Sequence, residues 1–247
     1  MSIIIANWKM KLGLHESHDL ADSLRNFKAD DKEIVICPSF ASLSNVGKIL
    51  KQGKIKLGAQ DCFWESKGAY TGEVSPQELK EAGCEFVILG HSERRKFFNE
   101  TDEVIHRKVK AALSAGLVPV ICVGETFEQR QQGATDYILI KQVAGALEGI
   151  SADFRQRIII AYEPVWVIGT GQAIMPEQAE LAHEVINQTL IDLFPSQSIR
   201  KIFSIIYGGS IDSENIFSFT SLPIIDGVLV GAASLNAKDF IELINNA

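Results

Sequence analysis

Cysteine is scarce in this chain and poorly placed for either of its structural uses. The four, Cys37, Cys62, Cys84 and Cys122, stand far apart and form no C-x-x-C pair and no Cys/His ligand spacing, so neither a disulfide framework nor a zinc site is indicated. Free thiols fit a cytoplasmic protein. No basic segment precedes the first apolar stretch, Ile3-Ile4-Ile5-Ala6-Asn7-Trp8, and that stretch is too short for a signal or membrane helix. The expectation is that the chain begins with its first strand. A proline-, serine- or charge-rich linker is missing from the 247 residues, as is any low-complexity segment, which points to a single domain over 1–247. Positive charge is in deficit: a formal net charge of −7 speaks against nonspecific binding to nucleic acid but leaves room for a local cationic pocket holding a small anion.

What the chain does have is a repeated pattern. Short apolar, β-branched runs recur at Ile3 to Trp8, Ile34 to Pro38, Ile55 to Gln60, Phe86 to Gly90, Val118 to Gly124, Ile158 to Glu163, Ile202 to Gly209 and Gly227 to Gly231. Continuous apolarity without strict alternation is what strands covered on both faces require, as in a parallel sheet flanked by helices. Stretches with helical spacing lie between them, notably His15 to Phe27, Thr101 to Ser114, Thr126 to Leu147, Pro176 to Leu193 and Ala237 to Ile244. Pro176-Glu177 reads as a first helical turn, since proline loses no hydrogen bond there and an acid suits the positive end, so the preceding loop stops at about Met175. Eight alternating units predict an α/β fold, a closed (β/α)8 TIM barrel; an open doubly wound sheet is the alternative architecture.

In such a barrel the chemistry sits on the loops that follow the strands. After the sixth run, Ala161-Tyr-Glu-Pro-Val-Trp-Val-Ile-Gly-Thr-Gly171 places Glu163 at a strand end, with Pro164 favouring extended geometry before it and a glycine-bearing loop behind. Lys9, just past Asn7-Trp8, is a cation able to neutralise a phosphate or an oxyanion. His91, in Gly90-His-Ser-Glu-Arg-Arg95, lies where a short helix is expected to begin, with Ser92 as its cap; the helix's positive end opposes protonation and favours a neutral, hydrogen-bond-donating ring. Tyr207-Gly-Gly-Ser210 and Gly231-Ala-Ala-Ser234 offer backbone N–H groups to a phosphate. Each has a plainer reading by itself: a surface glutamate, a solvated lysine, a structural histidine, a turn asparagine at Asn7, two ordinary glycine turns.

Together, a base, a neutral donor, a fixed cation and a phosphate cradle suit proton abstraction beside the carbonyl of a small phosphorylated sugar. Glu163 would take the carbon-bound proton, and His91 and Lys9 would stabilise the enediolate. That is an aldose–ketose isomerisation, which needs no cofactor.

At this point the sequence resembles the triosephosphate isomerases over nearly its whole length. The matching segments are Asn7-Trp-Lys-Met10, Gly68-Ala-Tyr-Thr-Gly-Glu-Val-Ser75, Leu89-Gly-His-Ser-Glu-Arg-Arg95, Ile121-Cys-Val-Gly-Glu125, Ala161-Tyr-Glu-Pro-Val-Trp166, Ile168-Gly-Thr-Gly171, Tyr207-Gly-Gly-Ser210 and Leu229-Val-Gly231. A glutamate base paired with a neutral histidine under a closing loop is that family's own well-known pattern, so this part of the expectation rests on the resemblance. The resemblance implies Glu163 as base, His91 as electrophile, Lys9 as cationic stabiliser and Asn7 as a substrate-positioning residue, with Gly169, Gly171, Ser210, Gly231 and Ala232 around the phosphate. Glu93 would support the lysine and histidine, or simply form a salt bridge at the helix start. Pro164 to about Ala173 resembles the family's lid, with Trp166 in its first hinge and Tyr207 and Ser210 latching it. Gly68 to Ser75 resembles the loop that enters a second subunit, where Thr71 would buttress the neighbour's Asn7 and Lys9 in a homodimer. The resemblance also implies a cytoplasmic enzyme of glycolysis and gluconeogenesis with no cofactor, no metal, and no nucleic-acid or membrane partner.

Four positions depart from the family's usual pattern: Lys11 for asparagine, Val167 for alanine in the lid, Gln172 for lysine at the second hinge, and Ala232 for a second glycine. Ala232 keeps its N–H toward a phosphate only if its φ is negative. Other readings are a different phosphate-binding barrel, such as a sugar-phosphate epimerase or a synthase, and a catalytically silent relative kept for binding. A metal-dependent epimerase needs converging ligands that are not visible among His15, His18, His91, His106 and His183, and retention of Asn7, Lys9, His91 and Glu163 together argues against a silent relative.

Overall fold

Eight parallel strands close into a ring, each hydrogen-bonded to its sequence neighbours and the last returning to the first. They are Ser2–Asn7 (β1), Lys32–Cys37 (β2), Lys56–Ala59 (β3), Phe86–Leu89 (β4), Val118–Val123 (β5), Ile158–Tyr162 (β6), Phe203–Tyr207 (β7) and Gly227–Val230 (β8). The computed structural model describes residues 2–51, 53–151, 156–168 and 172–247, and only the backbone of 196–198. This is the expected TIM barrel. The eight apolar runs become its strands with ends moved by one or two residues.

The continuous apolarity of the runs has a two-sided cause. Successive side chains of a strand point to opposite faces, and here both faces are dry. One set, including Ile3, Ile5, Val35, Cys37, Phe86, Ile88, Val120, Cys122, Ile159, Ala161, Ile206 and Leu229, fills the barrel interior as a core of its own. The alternate set, including Ile4, Ala6, Ile34, Ile36, Val87, Leu89, Ile121, Val123, Ile158 and Ile160, joins the larger core under the helices.

Helix starts follow the chemistry of their caps. Thr101 accepts from Val104 N–H at the head of Asp102–Ser114, with Asp102 and Glu103 in the first turn, complementing the orphan donors and positive end of that helix. Pro176 opens Pro176–Leu193, with Met175 extended before it. The stretch Thr126 to Leu147, expected as one helix, is instead two, Phe127–Gln131 and Thr135–Leu147. Gly133, at φ 68°, takes the left-handed conformation that ends the first and allows the second to start on a new axis. Among the described residues no helix is long and apolar enough to cross a membrane.

One charged cluster is buried in this framework. Lys108, on the helix Asp102–Ser114, bonds both carboxylate oxygens of Asp61, just past β3, and Oε1 of Glu100; Arg94 reaches the same two acids. It ties the segment after β3 to the helices that follow β4.

Candidate active site

The site lies where β1, β4, β6, β7 and β8 end. A cavity of about 410 Å³ is lined there by Asn7, Lys9, His91, Glu163, Gly208, Gly209, Ser210, Gly231 and Ala232, with Ile168, Ile211, Asp212, Leu229 and Ala233 completing it. That size is within the usual range for small-molecule sites. Residues from five separate loops therefore converge on one mouth.

Glu163 follows the last residue of β6 and remains on the ladder: its N–H donates to Val123 O at 2.7 Å. The carboxylate is 1 % exposed and points across the mouth. Ser92 N–H donates to Oε2 at 2.8 Å, a donor that a helix start leaves unpaired. His91 Nε2 lies 3.0 Å from Oε1, but the contact is off the N–H direction and Oε1 has no hydrogen-bond partner. Below it, burial and then the charge of Glu163 hold the Cys122 thiol well above the ordinary thiol range, so the base sits over a neutral sulfur. Two glycines permit this placement. A Cβ on Gly124 would stand 1.7 Å from Glu163 O, and one on Gly208 would stand 3.1 Å from Glu163 Cγ.

His91, not Ser92, caps the helix Ser92–Phe98: its Nδ1 accepts from Glu93 N–H at 3.2 Å, and Ser92 is the first helical residue. The expected cap is thus displaced by one position, because an imidazole nitrogen serves as acceptor and frees Ser92 N–H for Glu163. A nitrogen that accepts carries no proton, so Nε2 is the ring's donor, aimed at the cavity.

Lys9 adopts φ 51°, one of two non-glycine residues with positive φ among those described. Such a backbone costs energy and persists only where surroundings enforce it. The enforcing contacts are visible: Lys9 N–H donates to Asn7 Oδ1 at 3.0 Å, and the Gln60 amide donates to Lys9 O at 2.8 Å and Cys37 O at 2.9 Å. Lys9 Nζ meets Glu93 Oε1 at 2.8 Å and lies near Gly231. For Glu93, burial alone would raise the carboxyl, and Lys9 and His91 bring it below its ordinary value.

At the phosphate end expected from sequence, Ala232 opens a short 3-10 turn, Ala232–Ser234, and is not among the positive-φ residues. Its alanine side chain is therefore compatible with the turn. Ser210 Oγ reaches Val167 O at 3.5 Å. Val167 is 4 % exposed and packs into the outer core, so the methyls it has beyond alanine are buried. Trp166 donates to Glu125 Oε1 at 3.0 Å, an acid that is fully buried and also takes Tyr162 OH and Arg130. Tyr207 is buried with its hydroxyl toward Ile174 and stacks on Phe219. Gly169 and Gly171 lie outside the described residues. Thr71 is exposed and is not brought to this cavity within the single chain. Among the described residues no group of three His, Cys, Asp or Glu side chains is placed to hold a metal ion.

A family model for triosephosphate isomerase matches residues 2–247. The chain belongs to the triosephosphate isomerase family. It is 44 % identical over 247 residues to a triosephosphate isomerase of Chloroherpeton thalassium, covering 99 % of this chain and 98 % of the relative. It is 45 % identical to that of Dictyoglomus thermophilum, with 99 % and 98 % covered, and 46 % identical to that of Pelobacter propionicus, with 98 % and 97 % covered.

Gln60 and Asp212 escape a reading of the sequence, as does the role of Glu125, although its segment Ile121 to Glu125 matches the family. Gln60 and Glu125 act on backbone or hinge atoms distant in the chain, and no local pattern signals such partners. Asp212 follows the Tyr207-Gly-Gly-Ser210 turn closely enough that its proximity to the turn was the available signal.

Proposed function

We propose that this chain interconverts D-glyceraldehyde 3-phosphate and dihydroxyacetone phosphate, with Glu163 as base and His91, Lys9 and Asn7 around the reacting oxygens. The observation that carries the reading is the juxtaposition in one cavity of a buried carboxylate with an uncommitted oxygen, an imidazole Nε2 donor 3.0 Å from it, and Lys9 on an enforced backbone. Relatives named triosephosphate isomerase over essentially the whole chain support the substrate pair.

In this mechanism the carbon-bound proton passes to Glu163 and the electron pair of that C–H bond moves to the carbonyl oxygen. Nε2–H of His91 and the ammonium of Lys9 stabilise the negative oxygen. A hydroxyl proton exchanges between the two oxygens, and Glu163 returns its proton to the adjacent carbon. Gly231, Ala232 and Ser210, with Gly169 and Gly171 of the lid, hold the phosphate. Lid closure between the Trp166 and Gln172 hinges excludes water and disfavours loss of phosphate from the enediolate. The proposal includes a cytoplasmic homodimer in which Thr71 supports the neighbour's Asn7 and Lys9. Supporting it, Met10 and Tyr70 are 94 % and 45 % exposed, apolar surface that a partner would cover.

The test is a coupled assay in both directions on chelator-treated protein without added cofactor. Glu163→Gln is expected to abolish turnover. Glu163→Asp is expected to lower kcat by about a hundredfold, because retracting the base by about 1 Å spoils its reach, while KM changes little. Unaltered turnover in either variant sinks Glu163 as base. Sedimentation tests the dimer, and a monomer at assay concentration refutes that part.

A further inference from the structure

The cavity is electrostatically odd for the ligand assigned to it. Its described lining carries Lys9, Glu163 and Asp212 as its charged side chains, a formal −1 facing a phosphate ester that brings close to two further negative charges at neutral pH. The one cation is already committed to Glu93 at 2.8 Å. Glu163 is assigned to the chemistry. Asp212 is not, and it stands two residues beyond Ser210, at the phosphate end.

Asp212 is also held there. Its Oδ1 accepts from Glu214 N–H at 3.0 Å and Asn215 N–H at 2.9 Å, while Asn215 Oδ1 accepts from Asp212 N–H at 3.1 Å. Asn215 Nδ2 then donates to Ser210 O at 3.3 Å. This reciprocal box braces the Ser210 turn and needs an oxygen acceptor at position 212, but it does not need a charge. An asparagine would make the same bonds. The negative charge therefore has its consequence elsewhere, in the field over the phosphate subsite.

We propose that Asp212 is a specificity-determining residue that weakens the site's hold on dianionic phosphate. The inference rests on the reading of this cavity as a phosphate site. Weaker binding of substrate and transition state alike leaves the chemical step untouched and raises KM. For charges of −1 and −2 in water, a separation of about 8 Å would change affinity roughly fivefold at low salt and about twofold at physiological salt.

The experiment compares the whole protein with Asp212→Asn, which keeps the acceptor and loses the charge. Inorganic phosphate is the probe, titrated by calorimetry at ionic strengths of about 0.01 M and 0.15 M, and KM and kcat for the triose phosphates are measured in parallel. Expected are phosphate binding and KM tighter by about fivefold at low salt, a gap that narrows with salt, and an unchanged kcat. Equal phosphate affinity of the two proteins at low salt overturns the proposal, as does a gain that salt does not erode. A fall in kcat with no gain in affinity assigns Asp212 to bracing the Ser210 turn only, and also overturns it. If phosphate binds more tightly to the variant while neither protein isomerises a triose, the field effect stands and the isomerase reading fails. Asp212→Ala, which loses both acceptor and charge, separates the two contributions.

Discussion

His183 provides the sharpest link between a buried atom and a bulk observable. It is fully buried on the helix Pro176–Leu193, between the rings of Tyr162 and Tyr207 at 5.9 and 6.5 Å. Nδ1 faces Ala179 O at 2.7 Å. Nε2 faces the Ile206 backbone without completing a hydrogen bond. Burial pushes its pKa from 6.5 down to about 4, against small opposing effects of the Ala179 and Ile206 backbones. The unfolded chain thus binds a proton that the folded chain refuses, and stability must rise with pH through this window. The penalty is absent well above pH 6.5, grows as the pH falls, and levels off below about pH 4. One pKa unit is about 1.36 kcal/mol, so the whole effect is about 3 kcal/mol, of which about 2 kcal/mol has developed by pH 5, before ordinary carboxylates take up protons.

His183→Leu removes the titration and keeps an apolar side chain against the two tyrosines. Urea unfolding at fixed protein concentration, between pH 7.5 and pH 5, is the assay. The variant should be less stable at pH 7.5 through lost packing, but its stability should fall with acid by about 2 kcal/mol less than that of the parent. The difference between the two pH curves isolates this residue from every group common to both. Parallel curves would refute the argument, because they would mean that the native protein admits the proton at no cost.

Two further changes test the framework. Lys108→Met leaves Asp61 and Glu100 buried with Arg94 as their one remaining cation in the cluster; burial already pushes Asp61 up to about 6 with the lysine present. A loss of about 3–5 kcal/mol is expected at pH 7, smaller at pH 5 as Asp61 is neutralised, and denaturant midpoints at the two pH values check it. Gly124→Ala forces a methyl onto the Glu163 carbonyl oxygen, where it would stand at 1.7 Å and meet backbone that cannot turn aside. It should lower kcat by about a hundredfold through displacement of the base with an intact far-UV spectrum, and near-parental kcat would show that the contact of β5 with Glu163 is not constraining.

The barrel was legible because its strands are dry on both faces, which writes an unmistakable apolar run into the chain. Helices were legible only where their own propensities agreed with their place. The helix Phe40–Leu50 contains Ser42, Ser44, Asn45, Val46 and Gly47, weak formers in an isolated helix, and gives little periodic signal. Its glycine is a matter of packing: a Cβ on Gly47 would stand 2.9 Å from Leu57 Cδ2 and 3.1 Å from Ala82 O, neighbours that only the fold reveals. Gly133 misled in the opposite direction, since apolar spacing continues across a residue whose left-handed backbone divides the helix.

The site divides along the same line, and the division has a physical reason. Glu163, His91 and Lys9 stand at strand ends, so finding the strands finds them. Two of the residues that make them usable, Gln60 after β3 and Glu125 after β5, also follow strands, but their positions do not reveal which atoms they serve. Gln60 ties the strained Lys9 to Cys37 through one carbonyl of each, Glu125 gathers the Trp166 hinge with Tyr162 and Arg130, and Ser92 contributes a backbone N–H that carries no sequence information. Each satisfies a buried or strained group supplied by another segment, and such demands exist only once the segments meet. Two backbone contacts leave each reacting group one uncommitted atom: Ser92 N–H takes Oε2 of Glu163 while Oε1 has no donor, and Glu93 N–H occupies Nδ1 of His91, leaving Nε2 for the cavity. A carboxylate satisfied on both oxygens would be a poor proton acceptor, and an imidazole accepting through Nε2 would have no proton to offer an oxyanion. The supporting contacts thus set the reactivity that the strand ends only position.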